Sequence, residues 1–131
     1  MTRSEAREVL MQAVFQMDAQ NDQSEELVEL LIKDKKSDDK QIDYIRSSFR
    51  EIKFNLEEID KTINRNSRSW NTERMAKTDL AILRVAIYEM EYNETVPVPV
   101  TINEAVNMAK KFGGPDSQKF INGILGSVAR A

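Results

Sequence analysis

The 131-residue sequence contains no cysteine and no histidine. The first absence excludes disulfides, thiolate metal sites, iron–sulfur clusters and a thiol nucleophile. The second excludes a Ser-His-Asp triad, imidazole ligands and a histidine proton shuttle. Four glycines and three prolines are too few to turn many short strands. No apolar run approaches the ~18 residues of a membrane span. Met1-Thr2-Arg3-Ser4-Glu5 lacks the apolar core of a signal peptide, so the chain is expected to be soluble and cytoplasmic. The one glycine cluster, Gly113-Gly114-Pro115-Asp116-Ser117, lacks the Gly-Lys-Ser/Thr ending of a phosphate loop. Neighbouring carboxylates at Glu25/Glu26 and Glu57/Glu58 point in different directions on a helix, and no Glu-x-x-His exists for a di-iron bundle. These absences argue against an enzyme, a bound metal or cofactor, and a small-molecule substrate.

What is present is a balanced composition, 40% apolar and 31% charged, sized for one domain over residues 1–131. The net charge of −3 is unevenly placed: −5 over residues 21–60, +4 over 61–84, −4 over 85–104 and +3 over 105–131. Such blocks are ordinary solvated helix faces, and they also let an acidic protein bind a polyanion locally, within ~8–10 Å in physiological salt.

Apolar spacing is helical almost throughout. Thr2 and Glu5 form a capping box, followed by Ala6, Val9, Leu10, Ala13, Val14 and Met17 on one helix face. Asp22 and Glu25 offer a second box before Leu27, Leu30 and Leu31. After a charged connection at 33–40, Ile42, Ile45, Phe49, Ile52, Leu56, Ile59 and Ile63 predict one long helix over residues 39–64. The polar stretch 64–71 breaks the pattern, and a short helix is predicted at Thr72–Ala76. Thr78 is expected to cap Asp79–Tyr92, a helix apolar nearly all round, in which Arg84 and Glu89 must be paired or reach the surface. Val96-Pro97-Val98-Pro99-Val100 reads as extended, and Thr101 with Glu104 as a third capping box. Gly113 is expected to end that helix in a left-handed cap, with Pro115 in the first turn of the last helix. The prediction is an all-α bundle of about seven helices.

Two surfaces stand out. On the first helix, Met11 and Phe15 fall at about 140° and 180° from Ala6, off the core stripe, an apolar pair placed for a protein contact. Near the carboxyl end, Lys110, Phe112, Asp116, Lys119 and Phe120 surround a turn. Aromatics that stack bases, with lysines on phosphates, are what single-stranded RNA requires. Periodicity alone favours the plainer roles, with Phe112 closing a helix end, Phe120 in the core and the lysines solvating the rim. Arg3, Arg7 and the group Arg65, Arg68, Arg74 and Lys77 extend this into a basic strip if the fold brings them close.

Several stretches together resemble the NusB family of bacterial transcription antitermination factors. They are Ala6-Arg7-Glu8, Gln12-Ala13-Val14-Phe15, Asp79-Leu80-Ala81-Ile82-Leu83-Arg84 through Tyr88-Glu89, Val98-Pro99-Val100-Thr101-Ile102-Asn103-Glu104-Ala105, Ala109-Lys110-Lys111-Phe112-Gly113 and Ser117-Gln118-Lys119-Phe120-Ile121-Asn122-Gly123. The resemblance implies two small helical bundles packed as one domain. It also implies binding of boxA RNA in ribosomal-operon leaders together with NusE, a small-subunit ribosomal protein, within an RNA polymerase complex that resists termination. Carried over, Phe15 and Asp79 meet NusE, and Phe112, Asp116 and Phe120 face RNA beside Lys110 and Lys119. The family's arginine-rich N-terminus is reduced to Arg3 and Arg7, implying greater dependence on the partner. The competing readings are an accessory domain of a ribosomal-RNA methyltransferase, which would make this chain a fragment, and a purely structural helical oligomer.

Overall fold

The reciprocal bonds at the amino end set the first helix. In the computed structural model, which describes residues 1–36, 38–68 and 71–131, Glu5 N–H donates to Thr2 Oγ1 at 3.1 Å and Thr2 N–H to Glu5 Oε1 at 2.8 Å. The Thr2 donors hold the Glu5 carboxyl below its ordinary value. Helix α1 (Arg3–Ala19) follows and buries the predicted stripe. Asn21, at φ 49°, turns the chain out of it, a conformation asparagine tolerates. Before α2 (Glu26–Ile32) the expected capping box is absent. Asp22 instead accepts from Ser24 N–H and Ser24 Oγ from Glu26 N–H, two local turns. Leu27 and Val28 are buried, but Leu30 is 71% exposed, contrary to expectation.

The predicted long helix is two: α3 (Asp39–Phe54) and α4 (Leu56–Asn66). Asn55 is the cause, because its side-chain Nδ2 donates to Glu51 C=O at 2.9 Å and competes with the helix ladder. The chain still hydrogen-bonds through the kink, Ile59 N–H to Asn55 C=O at 2.9 Å. The apolar stripe therefore survives, with Ile45, Phe49, Ile52, Ile59 and Ile63 fully buried. Ser37 in the charged connection and Ser69 and Trp70 in the polar break lie outside the described residues. The helix predicted at Thr72–Ala76 is a turn. Asparagines satisfy its backbone locally: Asn64 Oδ1 accepts from Thr72 N–H and Asn71 Oδ1 from Glu73 N–H.

Helix α5 (Lys77–Tyr92) starts one residue before Thr78 without a side-chain cap, and every residue from Asp79 to Glu89 is buried. Its two internal charges are paired. Glu89, 1% exposed, takes two bonds from Arg7 of α1, Nε at 2.7 Å and Nη2 at 3.1 Å. Burial disfavours the Arg7 charge, but the hydrogen bond to Glu89 together with the charges of Glu89, Tyr44 and Glu104 outweighs it, and the guanidinium pKa rises. Arg84 grips Asp60 of α4 with Nε at 2.9 Å and Nη2 at 2.8 Å, and reaches Asp18 of α1 at 3.4 Å. Tyr88 donates to Glu51 of α3, and burial with that bond pushes its hydroxyl up to about 12.

The prolines do not keep Val98–Val100 extended. Pro97, at φ −60° and ψ 139°, precedes α6 (Val98–Phe112). Pro99 falls in the first turn, where a missing N–H costs nothing. Thr101 is consequently inside the helix, buried, and caps nothing. Glu104 turns to α1 instead, accepting from Ser4 Oγ at 2.7 Å. The last helix is α7 (Ser117–Arg130). Helices α1, α2 and α3 pack together, as do α4, α5, α6 and α7, and α5 is shared, lying against both α1 and α6. Among the described residues, the all-α expectation of about seven helices in two small bundles holds. Among the described residues, no helix is long and apolar enough to cross a membrane.

Removing one member of the fully buried pair should strand the other. Arg7→Met is expected to lose about 3–5 kcal/mol in chemical denaturation, and Arg7→Met/Glu89→Leu to recover most of it. Arg84→Met should cost less, because Asp60 and Asp18 side chains are 22% and 24% exposed. A double variant no more stable than Arg7→Met alone would show that the pair's packing, not its charge, matters.

Candidate nucleic-acid and partner interface

The turn between α6 and α7 is held by a steric requirement. Gly113 is extended, φ −89° and ψ −175°, not left-handed as expected. A Cβ there would lie 2.6 Å from both Ser117 Cβ and Oγ and 2.8 Å from Ala109 C=O, so only glycine lets the chain pass. Ser117 Oγ accepts from Gly114 N–H at 2.9 Å and closes the turn. Pro115 lies in the turn itself rather than in α7, and Asp116 precedes the helix without capping it, leaving its carboxylate exposed.

Phe112 and Phe120 on either side of this turn are half-buried, packed on the core, and each borders a hollow. One hollow, about 380 Å³, is bordered by Arg74, Asp79, Gly114, Pro115, Asp116 and Phe120. The other, about 400 Å³, is bordered by Met11, Gln12, Phe15, Leu31, Thr78 and Phe112. Thr78 and Asp79, consecutive at the start of α5, face one hollow each, so the first turn of that helix separates them. Asp79 Oδ1 is buried and accepts no hydrogen bond from the described residues.

The sequence-predicted residues are therefore redistributed. Phe112 joins Phe15, while Asp79 joins Asp116 and Phe120. Met11 is 3% exposed, in the core rather than off it, and borders the same hollow as Leu31 of α2 and Phe112 of α6. Phe15 is half-buried rather than free. Arg7 is no part of a basic strip: it is 4% exposed and its charge is neutralised by Glu89. Arg3 is drawn to α3, its Nε donating to Gln41 Oε1 at 2.7 Å and its guanidinium 4.0 Å from the Tyr44 ring centre.

Lys110 and Lys119 are exposed, and neither makes an ion pair among the described residues. Lys111 is tied to Glu8 at 3.0 Å. Periodicity missed Gln12, Leu31 and Thr78. For Thr78 a signal existed, since a polar residue opening an otherwise apolar helix marks where it reaches the surface.

The NusB family model matches residues 4–130. The chain belongs to the NusB family. Its relatives include the transcription antitermination protein NusB of Acetivibrio thermocellus, 41% identical over 99% of this chain and 90% of that protein. The protein of the same name from a Thermoanaerobacter species is 44% identical over 99% and 91%. The structure of T. maritima NusB superposes with a TM-score of 0.93 at 35% identity, over 99% of this chain and 92% of that one. A NusB chain solved with NusE and double-stranded RNA shares the fold, with TM-score 0.88 at 20% identity and coverage of 99% and 98%.

The turn gives a direct test. Gly113→Ala should destabilise the protein by about 1–3 kcal/mol, because the added methyl forces Ser117 and the backbone apart. Gly114→Ala, where nothing lies within 4 Å of the new Cβ, should be close to neutral. Equal melting temperatures for the two variants would remove the steric account.

Proposed function

We propose that the protein is a transcription antitermination factor that acts in the cytoplasm as an adaptor. It holds boxA RNA of ribosomal-operon leaders together with NusE, helping RNA polymerase read through terminators, and it catalyses nothing. The observation that carries this reading is the pair of hollows flanking the first turn of α5. One is lined by uncharged side chains around Phe15 and Phe112; the other sets Arg74, Asp79 and Asp116 among small and apolar residues around Phe120, with Lys119 next to that ring in sequence. An apolar hollow with ordered aromatic walls suits an anchor residue of a protein partner. A half-buried ring beside exposed lysines suits unpaired bases and their phosphates. In this reading Phe15 meets NusE, and Lys110, Asp116, Lys119 and Phe120 meet RNA; Phe112, which borders the Phe15 hollow and also ends α6 at the turn, meets RNA at the boundary between the two ligands. Asp79, with its unpaired acceptor oxygen, stands between the two and meets NusE. The name carried by relatives more than 40% identical supports it.

On the protein side, Phe15→Asp should weaken NusE binding by roughly 2–4 kcal/mol, since the new carboxylate is buried without a partner. Phe15→Leu keeps the apolar volume and should bind nearly as the parent does. Calorimetric titration with NusE decides it; undiminished binding by a folded Phe15→Asp would place the partner elsewhere.

For RNA, binding of labelled boxA RNA is measured with and without NusE across a salt series. Phe112→Leu and Phe120→Leu should each lose about 1–3 kcal/mol with folding retained, because the ring face goes and the volume stays. Lys110→Ala and Lys119→Ala should each flatten the salt slope by about one unit. Parental affinity in both leucine variants together with parental slopes in both lysine variants would rule this surface out.

A further inference from the structure

A third hollow, about 430 Å³, lies between the carboxyl end of α4 and the outer face of α7, bordered by Asn66, Arg68, Lys119, Phe120, Gly123 and Arg130. The reading above leaves it without a role. No carboxylate lines it. The chain carries 22 acidic against 19 basic residues. Yet among the described residues Arg68, Lys119 and Arg130 form no ion pair. Three unneutralised cations around one groove of an acidic protein make a local attraction for phosphate that the net charge conceals.

The groove has fixed walls. Ser127 Oγ of α7 donates to Asn66 Oδ1 of α4 at 2.7 Å, and Asn66 Nδ2 donates to Thr62 C=O at 2.8 Å, which sets the distance between the two helices. Arg130 lies back along α7, its Nη1 3.2 Å from where a Cβ on Gly126 would stand. The floor is open at Gly123, where an added Cβ would meet nothing within 4 Å. Phe120 borders this groove and also the one containing Asp116, so a single ring joins them.

We propose that the α4–α7 groove takes the sugar–phosphate backbone of the same RNA strand beyond the bases held at Phe120. The binding track then extends from the α6–α7 turn along α7 to Arg130. The inference rests on the RNA reading of that turn and adds a second segment to it. Two guanidinium forks and an ammonium group match phosphate oxygens. Among the described residues of the lining, Phe120 is the one aromatic, so contacts made through the cations position the strand and read no sequence.

The test uses the protein in complex with NusE. The probes are boxA RNA without a tail and boxA RNA carrying a short oligouridine tail at its 5′ or its 3′ end, each titrated across salt. A tail at one end should tighten binding by ~10-fold at low salt and steepen the salt slope by roughly two units. Arg68→Gln/Arg130→Gln and, separately, Gly123→Glu should each abolish the gain from the tail while binding untailed RNA as the parent does. Gly123→Ala should keep the gain. Circular dichroism melting checks that the variants fold, and if Gly123→Glu does not, the arginine pair decides. No gain from either tail, or a gain that persists in the arginine variant, overturns the proposal. Failure of untailed RNA to bind the parent complex overturns the reading of the turn, and this proposal with it.

Discussion

Two charges inside a helix without a wet face dominate this structure. Helix α5 is buried from Asp79 to Glu89, so Glu89 and Arg84 need opposite charges brought to them. An unpaired carboxylate in that setting costs several kcal/mol. Arg7 therefore points inward, fixing α1 against one side of α5, while Asp60 fixes α4 against another. The pairs do not make the fold stable by themselves, since apolar residues of like volume do as well or better. They select one rotation of each helix about α5. With α1 held in that rotation, Phe15 faces outward at the hollow it shares with Thr78 and Phe112.

The site then follows from the way α5 begins. A central helix must reach solvent at its ends, and at its amino end it does so at Lys77 and Thr78, where the first turn divides one hollow from another. The aromatic rings bordering these hollows are held by the core on one side. A ring already fixed loses little side-chain freedom when a ligand covers its other face, which favours binding without additional contacts. For the same reason, neither core residue nor surface residue is an adequate description of Phe112 or Phe120.

How much of this was legible depended on whether one periodic signal decided the matter. The stripes of α1 and of residues 42–63 gave their buried faces correctly, because apolar burial outweighs local effects over several turns. Asn55 divided the second stripe without disturbing it, since one side-chain amide can tilt a helix while its core face stays apolar. Pro99 misled because the bias against helix before proline was weighed without the first-turn exception. Gly113 was identified as a terminator for a conformational reason when the operative one is space beside Ser117. Met11 and Arg7 were placed outside because a single helix shows its own faces and not what covers them. Met11 is buried where α1, α2 and α6 meet at one hollow, and Glu89 claims Arg7. The pairing of Arg84 was expected; its partner at Asp60 belongs to the tertiary fold and has no local signature.

The separation between Arg7 and Glu89 also orders events during synthesis. The two residues are 82 positions apart, and the bonds from Ser4 to Glu104 and from Lys111 to Glu8 span 100 and 103. At the ~5–20 residues per second of a ribosome, the first helix waits roughly 4–16 s for its docking surface to be made. During that interval Arg7 is solvated and the stripe from Ala6 to Met17 has only nascent neighbours. The first helix can pack on α2 and α3 as soon as they are made, but its buried charge is locked only when α5 follows, and until then its apolar face is what a chaperone at the exit tunnel would encounter.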